Sequence, residues 1–304
     1  MCFGLVLTRG VFIRPLVEPT ALNSLNLMNS SQPKATAKIG RILNYGVGVL
    51  RRSVIGAARM AGYEIRPLDE LPVDLDEPTK ETIRVVRPFT MTSPAMLSAL
   101  CDAIRYVAHN QIEGDIVECG VYRGGSMMAA ARTLIELGDR DRTLWLFDTF
   151  EGMAEPGAND RRYDDVNAET VQLSSGFRTM KEWCAAGIDE VRAAMESTDY
   201  PRERIRYIEG KVEETLPGSR PDRIALLRLD TDWYESTKHE LIHLFPLLSP
   251  GGVLIIDDYG FWKGARMAVD EYLKEVAAPV LLNRIDTGRI CVIASKAGPV
   301  ELNR

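Results

Sequence analysis

From Thr92 onward, short apolar runs alternate with longer amphipathic ones, and this alternation constrains the fold more than any other feature of the chain. The short runs are DIVECG, TLWLFDTF, RIRYIEG, IALLRLD and GGVLIIDD, all of strand-like composition. Most are separated by stretches with helical spacing of apolar residues, such as SMMAAARTLIEL and STKHELIHLFPLL. Ser93-Pro94 supplies a cap and a first-turn proline for a helix over AMLSALCDAIRYVAHNQ. Strand-helix alternation of this kind predicts an α/β fold, Rossmann-like, built on a doubly wound and mostly parallel sheet. The end, LLNRIDTGRICVIASK, reads differently, as two strands around Asp286-Thr287-Gly288, a turn that suits an antiparallel hairpin.

The alternation defines a main domain over residues 86–304, preceded by an extension over 1–85. Within the extension, IGRILNYGVGVLRRSVIGAARMAGY has apolar residues at helical spacing with Arg41, Arg51, Arg52 and Arg59 interspersed. A helix packing on the core or on a second subunit is expected there, which favours a homodimer; a membrane-surface helix is the alternative. The opening MCFGLVLTRGVFI is short and broken by Arg9 and Gly10, so neither a signal peptide nor a span is expected, and no other run reaches the ~18 apolar residues a span requires. A formal net charge of -6 argues against a broad basic surface for nucleic acid and favours a small-molecule substrate. Cys2, Cys101, Cys119, Cys184 and Cys291 are scattered, which predicts reduced thiols in a cytoplasmic protein.

Three constellations point to chemistry. The first is VECGVYRGGS, where a strand ends in Glu118 and runs through Gly120, Tyr122, Gly124 and Gly125 to Ser126 at a helix start. Glycines there let a cofactor approach the backbone, while the spacing is neither GxGxxG nor GxxxxGK[ST], so a nucleotide phosphate is not the obvious ligand. The second is Asp148, at the tip of the next strand, where a carboxylate can accept hydrogen bonds from a ribose diol. The third strand ends in IEGKVEETLP, which sets Glu209, Gly210, Lys211 and Val212 over an adenine.

The third constellation is the most specific. Asp230 and Asp232 end IALLRLDTD, and Asp257 and Asp258 end GGVLIIDD. Neighbouring parallel strands bring these carboxylates to one sheet edge, where they repel and raise one another's pKa values unless a cation is present. Three histidines in the whole chain and no clustered cysteine point to a hard, oxygen-preferring ion, Mg²⁺ first, rather than zinc. The bland alternative is that the aspartates only cap helices. His239 and His243 share an i, i+4 spacing but lack the HExxH order, which leaves His239 as a possible substrate contact. At least two of Trp233, Tyr234, Tyr259, Phe261 and Trp262 are expected to face the substrate from their loops.

These residues resemble the macrocin O-methyltransferase family, TylF-like enzymes that methylate sugar hydroxyls on natural products. The match runs from about Thr90 to Ile293 through PFTM, VECGVYRGGS, LFDTFEGM, LLRLDTDWYEST and LSPGGVLIIDDYG. The resemblance implies a class I methyltransferase fold with S-adenosylmethionine across Glu118 to Ser126 and Asp148, and with Thr90, Met91 and Asp230 also touching it. It implies Mg²⁺ on Asp230, Asp257 and Asp258 and a general base at Asp232, with Asp230 and His239 as other candidates for the proton. The acceptor it implies is a glycoside or glycan. The segment EPGANDRRYDDVNAETVQLSSGF falls where the family carries a variable insertion, and a lid over the active site is expected there. A non-catalytic S-adenosylmethionine-binding scaffold is one competing reading. A nicotinamide-dependent oxidoreductase is another, disfavoured because GxGxxG and a Tyr-x-x-x-Lys pair are both absent.

Overall fold

The computed structural model describes residues 71–293 continuously, and before them three short strands and a few helical positions between 53 and 60. The chain divides into two compact units, Met1–Leu71 and Pro72–Arg304. In the first, β1 (Leu5–Leu7), β2 (Val11–Ile13) and β3 (Ile65–Pro67) form an antiparallel sheet in the order β2-β1-β3. Most of the basic amphipathic stretch falls outside the described residues. The division at 71/72 precedes helix α1 (Glu77–Val86), which therefore belongs to the second unit. Asp76 caps α1 by accepting from the Thr79 amide at 2.7 Å.

The second unit is built on a seven-stranded sheet. Its strands are β4 (Asp115–Cys119), β5 (Leu144–Asp148), β6 (Ile205–Glu209), β7 (Ile224–Leu229), β8 (Leu248–Ile256), β9 (Asn283–Ile285) and β10 (Gly288–Val292), in the order β6-β5-β4-β7-β8-β10-β9. Strands β4 to β8 are parallel, and β10 and β9 return as an antiparallel hairpin. The hairpin turns through Asp286 in the left-handed region, φ 53°. An aspartate tolerates that conformation better than most residues.

Every residue of β7 is buried, as a central parallel strand covered on both faces requires. Side-chain alternation sorts the two faces. Val117, Cys119, Leu227, Leu229, Leu254 and Ile256 join Leu241 and Leu244 of α7 (Tyr234–Leu244) and Val269 and Tyr272 of α8 (Lys263–Glu275) in one core cluster. Ile116, Glu118, Leu226, Arg228 and Ile255 point to the other face, where α2 (Pro94–His109) and α3 (Gly125–Glu136) pack together. Ser93 caps α2, accepting from the Met96 amide at 3.3 Å, where the Ser-Pro signal sets the helix start. Between α3 and α7 the chain forms the short helices α4 (Ala168–Ser174), α5 (Ile188–Glu196) and α6 (Val212–Thr215). The order reverses between β4 and β7, and the crevice at the carboxyl ends of those strands is where a doubly wound sheet takes its ligand. Among the described residues no helix is long and apolar enough to cross a membrane.

Candidate active site

At the crevice, the turn from β4 into α3 requires glycine at position 120. Gly120 has φ +83°, and a Cβ there would lie 2.1 Å from the Asp230 carbonyl oxygen. Gly125 meets Thr90 just as closely, a Cβ falling 2.6 Å from that side chain, so the segment Thr90–Thr92 seats directly on the start of α3. Asp148, at the tip of β5, holds the loop in shape: Oδ2 accepts from the amides of Val121 at 2.6 Å and Tyr122 at 3.0 Å, and Oδ1 from Phe150 at 2.8 Å. Burial raises its pKa against those three amide bonds.

One cleft gathers Met91, Gly120, Tyr122, Asp148, Gly210, Lys211, Val212, Asp230 and Asp232. Thr90, Glu118, Gly124 and Ser126 lie behind its wall instead of lining it. Ser126 is buried, 3.3 Å from the Thr92 hydroxyl, and Glu118 is wholly buried at the end of β4. Gly124 caps α3 in the left-handed region, φ +88°.

The aspartates converge as their strand positions require, and a protein cation accompanies them. β4 pairs with β7 so that Glu118 stands opposite Arg228, and alternation carries Asp230 and Asp257 to the same face. Arg228 Nη1 donates to Glu118 Oε1 and to Asp230 Oδ2, the latter at 2.7 Å. Its Nη2 donates to Asp257 Oδ1 at 2.7 Å and to Thr92 Oγ1 at 2.9 Å. The side chain is 3% exposed. Burial alone would lower the guanidinium pKa, but Asp230, Asp257 and Glu118 raise it above its ordinary value. The repulsion inferred from sequence is thus partly met by Arg228. Its one signal was an arginine inside a run of apolar strand residues, where full burial demands paired partners.

The compensation stops short of Asp258. Asp230, Asp257 and Asp258 each offer a carboxylate oxygen, all within 4.8 Å of one another, and Asp258 Oδ2 is buried with no hydrogen-bond partner among the described residues. Burial raises the pKa of Asp258, and the facing Asp232 carboxylate raises it further. Asp232 is itself pushed up to about 7, by burial first and then by Asp230 and Asp257. Its backbone sits at φ +69°, which aims its side chain off the strand direction. Below the site, Glu240 of α7 is fully buried and accepts from the Thr231 hydroxyl at 2.9 Å, tying down the residue between Asp230 and Asp232.

The segment from 151 to 187 closes over this edge. Gly152, Met153, Ala154 and Cys184 from it line the cleft. Cys184 is half-buried, and burial followed by Asp232, Asp230 and Asp258 pushes its thiol pKa up. Asp160, 2% exposed, fastens the segment: Oδ1 accepts from the Tyr234 amide at 2.8 Å, capping α7, and Oδ2 accepts from the Gly157 amide at 2.7 Å. Gly264 leaves room for it, since a Cβ there would fall 2.0 Å from Oδ1. Arg162 bridges Trp262, and Tyr163 N donates to the Phe261 carbonyl at 2.9 Å. Asp160→Ala removes a cap worth about 1 kcal/mol and leaves two amides without that partner. It is expected to raise KM for the acceptor with a melting temperature lowered by roughly 2–4 °C per kcal/mol lost, checked by kinetics and calorimetry.

The aromatic residues beside the aspartates correct an expectation. Trp233 and Trp262 are 3% and 2% exposed, pack edge to face at 5.0 Å, and carry the lid, with Trp233 Nε1 donating to the Ala154 carbonyl at 2.9 Å. Tyr234 and Tyr259 hydroxyls are bound by Glu271 and Asp270, and none of the five aromatics lines the cleft. Aromatic rings on loops here fill the space under a folded lid. His239 faces the Leu216 carbonyl and the His243 ring, outside the cleft.

The hairpin inserted antiparallel beside β8 separates this sheet from the all-parallel finish of a dehydrogenase. With the glycine cleft at its switch point, it defines a class I methyltransferase fold. The macrocin O-methyltransferase (TylF) family model matches residues 73–293, and the chain belongs to that family, which makes it an S-adenosylmethionine-dependent O-methyltransferase. Among its relatives, the 8-demethyl-8-(2,3-dimethoxy-alpha-L-rhamnosyl)-tetracenomycin-C 4'-O-methyltransferase of Streptomyces olivaceus is 37% identical over 183 residues, 60% of this chain and 67% of that protein. The demethyldecarbamoylnovobiocin O-methyltransferase of Streptomyces niveus is 34% identical over 187 residues, 60% and 67% of the two chains. The solved structure of the O-methyltransferase NovP superposes with a TM-score of 0.60 at 31% identity, over 68% of this chain and 83% of that one.

Proposed function

We propose that the protein transfers the methyl group of S-adenosylmethionine to a hydroxyl of a sugar, carried on a glycosylated natural product or a glycan. The transfer depends on a divalent cation, Mg²⁺ first. The observation that carries the cation is the trio Asp230, Asp257 and Asp258, with the partnerless buried Oδ2 of Asp258 among them. Such a hard oxygen donor set suits Mg²⁺. When bound there, a divalent cation would lower the pKa of an acceptor hydroxyl beside it. A sugar acceptor is supported by the rhamnosyl substrate in the name of the Streptomyces olivaceus relative.

The chain's own residues supply the rest. Gly120 and Tyr122, with Met91 and Asp148, receive the methionine and ribose parts of the donor, Gly124 and Ser126 support that loop from behind, and Gly210 to Val212 receive the adenine. Asp232, which lines the cleft beside the trio, takes the hydroxyl proton. Met153, Ala154 and Cys184 exclude water from the reacting groups. The sulfonium donor needs no acid, because it leaves as a neutral thioether.

A panel of acceptors tests the substrate class. With S-adenosylmethionine and Mg²⁺, methylated product is expected from rhamnosides and other deoxysugar glycosides, and none from catechols. Methylation of catechols in preference to glycosides would overturn the sugar reading. Tight S-adenosylhomocysteine binding with no transfer to any acceptor would favour a scaffold.

A further inference from the structure

Arg228 belongs neither to the cleft wall nor to the cation trio, yet it touches both. Its guanidinium takes one oxygen each from Asp230 and Asp257 and leaves the second oxygen of each open to another partner. From the same nitrogens it reaches Glu118, behind the cofactor wall, and Thr92, which follows the cleft residue Met91 and lies against Ser126. Asp258 is the trio member it does not touch, and Asp258 is the one with the partnerless oxygen. Three ion pairs on one guanidinium with almost no exposure form the sole compensation for Glu118, Asp230 and Asp257 among the described residues.

We propose that Arg228 is a resident counter-cation of the metal site: it holds Asp230 and Asp257 in place while the protein is metal-free, and it competes electrostatically with the divalent cation, keeping that binding reversible. The inference rests on the cation reading given above. Two consequences follow from Coulomb's law in a poorly solvated site. Without the arginine, the metal-free site carries uncompensated carboxylates and the fold weakens. A divalent cation then relieves more repulsion than it does in the native protein, so it binds more tightly and stabilises more. Arg228 acts through the aspartates and Glu118, which makes it a positioning residue.

The test uses the full chain and Mn²⁺ as the probe. In chelator, Arg228→Met is expected to melt roughly 6–20 °C below the native protein, the range for breaking a buried ion pair in a domain of this size. Mn²⁺ should restore at least half of that loss while raising the native protein's melting temperature less, and calorimetry should give the variant a Kd about tenfold lower or more. Should Arg228→Met fail to fold in chelator, Arg228→Met combined with Glu118→Gln removes one stranded carboxylate and is expected to fold and show the same enhanced Mn²⁺ response. Arg228→Lys, which keeps the charge but cannot span four partners, should fall between the native protein and Arg228→Met in both readouts. Mn²⁺ binding to the native protein with unchanged or weaker affinity in the arginine variants would overturn the role of Arg228 alone. No Mn²⁺ binding to the native protein would overturn the cation reading, and the competition with it.

Discussion

Asp258→Asn is expected to abolish methyl transfer, by roughly 10³-fold or more in kcat/KM, while leaving the metal-free protein as stable as the native one or more stable. The two halves have one cause. Asp258 carries a buried oxygen without a partner, faces Asp232, and is the trio member beyond reach of Arg228. A group so placed destabilises the metal-free fold, and removing its charge relieves that cost. The expected loss of rate follows from its place in the trio of donors found among the described residues, since a site that stabilises developing charge by several kcal/mol loses about tenfold for each 1.4 kcal/mol removed. Melting curves in chelator, beside single-turnover rates in saturating Mg²⁺, check both. A variant that loses rate because it unfolds would speak for a structural aspartate and against this account.

Asp232→Asn is expected to slow turnover by about 10²–10⁴-fold with Mn²⁺ affinity unchanged. Asparagine keeps the shape of the side chain and tolerates the left-handed backbone at φ +69°, so the loop between β7 and α7 should survive the change. What is lost is the acceptor for the hydroxyl proton. Asp230 stands close by, but Arg228 already donates to its Oδ2, which makes it the poorer base. Equal losses of rate and of Mn²⁺ binding would assign Asp232 to the ligand set.

The contrast between these two aspartates shows what was legible in the sequence. Strands β4 to β8, the closing hairpin and the glycine turn follow from apolar periodicity and from Gly120, whose backbone no other residue could adopt so near Asp230. The meeting of Asp230 with Asp257 and Asp258 follows from parallel neighbours ending at one edge. Arg228 was not legible, because a local pattern does not say which face of β7 an arginine occupies or that Glu118 stands opposite it. Asp160 caps a helix that begins 74 residues later in the chain, a partnership no local signal carries. Trp233 and Trp262 were misjudged because a loop position suggests exposure, whereas here the loop is itself covered by the lid. The Asp148 carboxylate also proved to be engaged: Oδ2 holds the glycine loop through the Val121 and Tyr122 amides, while Oδ1 accepts from the Phe150 amide and the Thr149 hydroxyl.

The proposed dependence of methyl transfer on a divalent cation rests on the aspartate trio. Its most direct test is the initial rate of methylation of a rhamnoside by the native protein, stripped with excess chelator and then given Mg²⁺ in steps. No measurable rate is expected in chelator, with a saturable return on Mg²⁺ that Asp258→Asn loses. Full activity in excess chelator would contradict it.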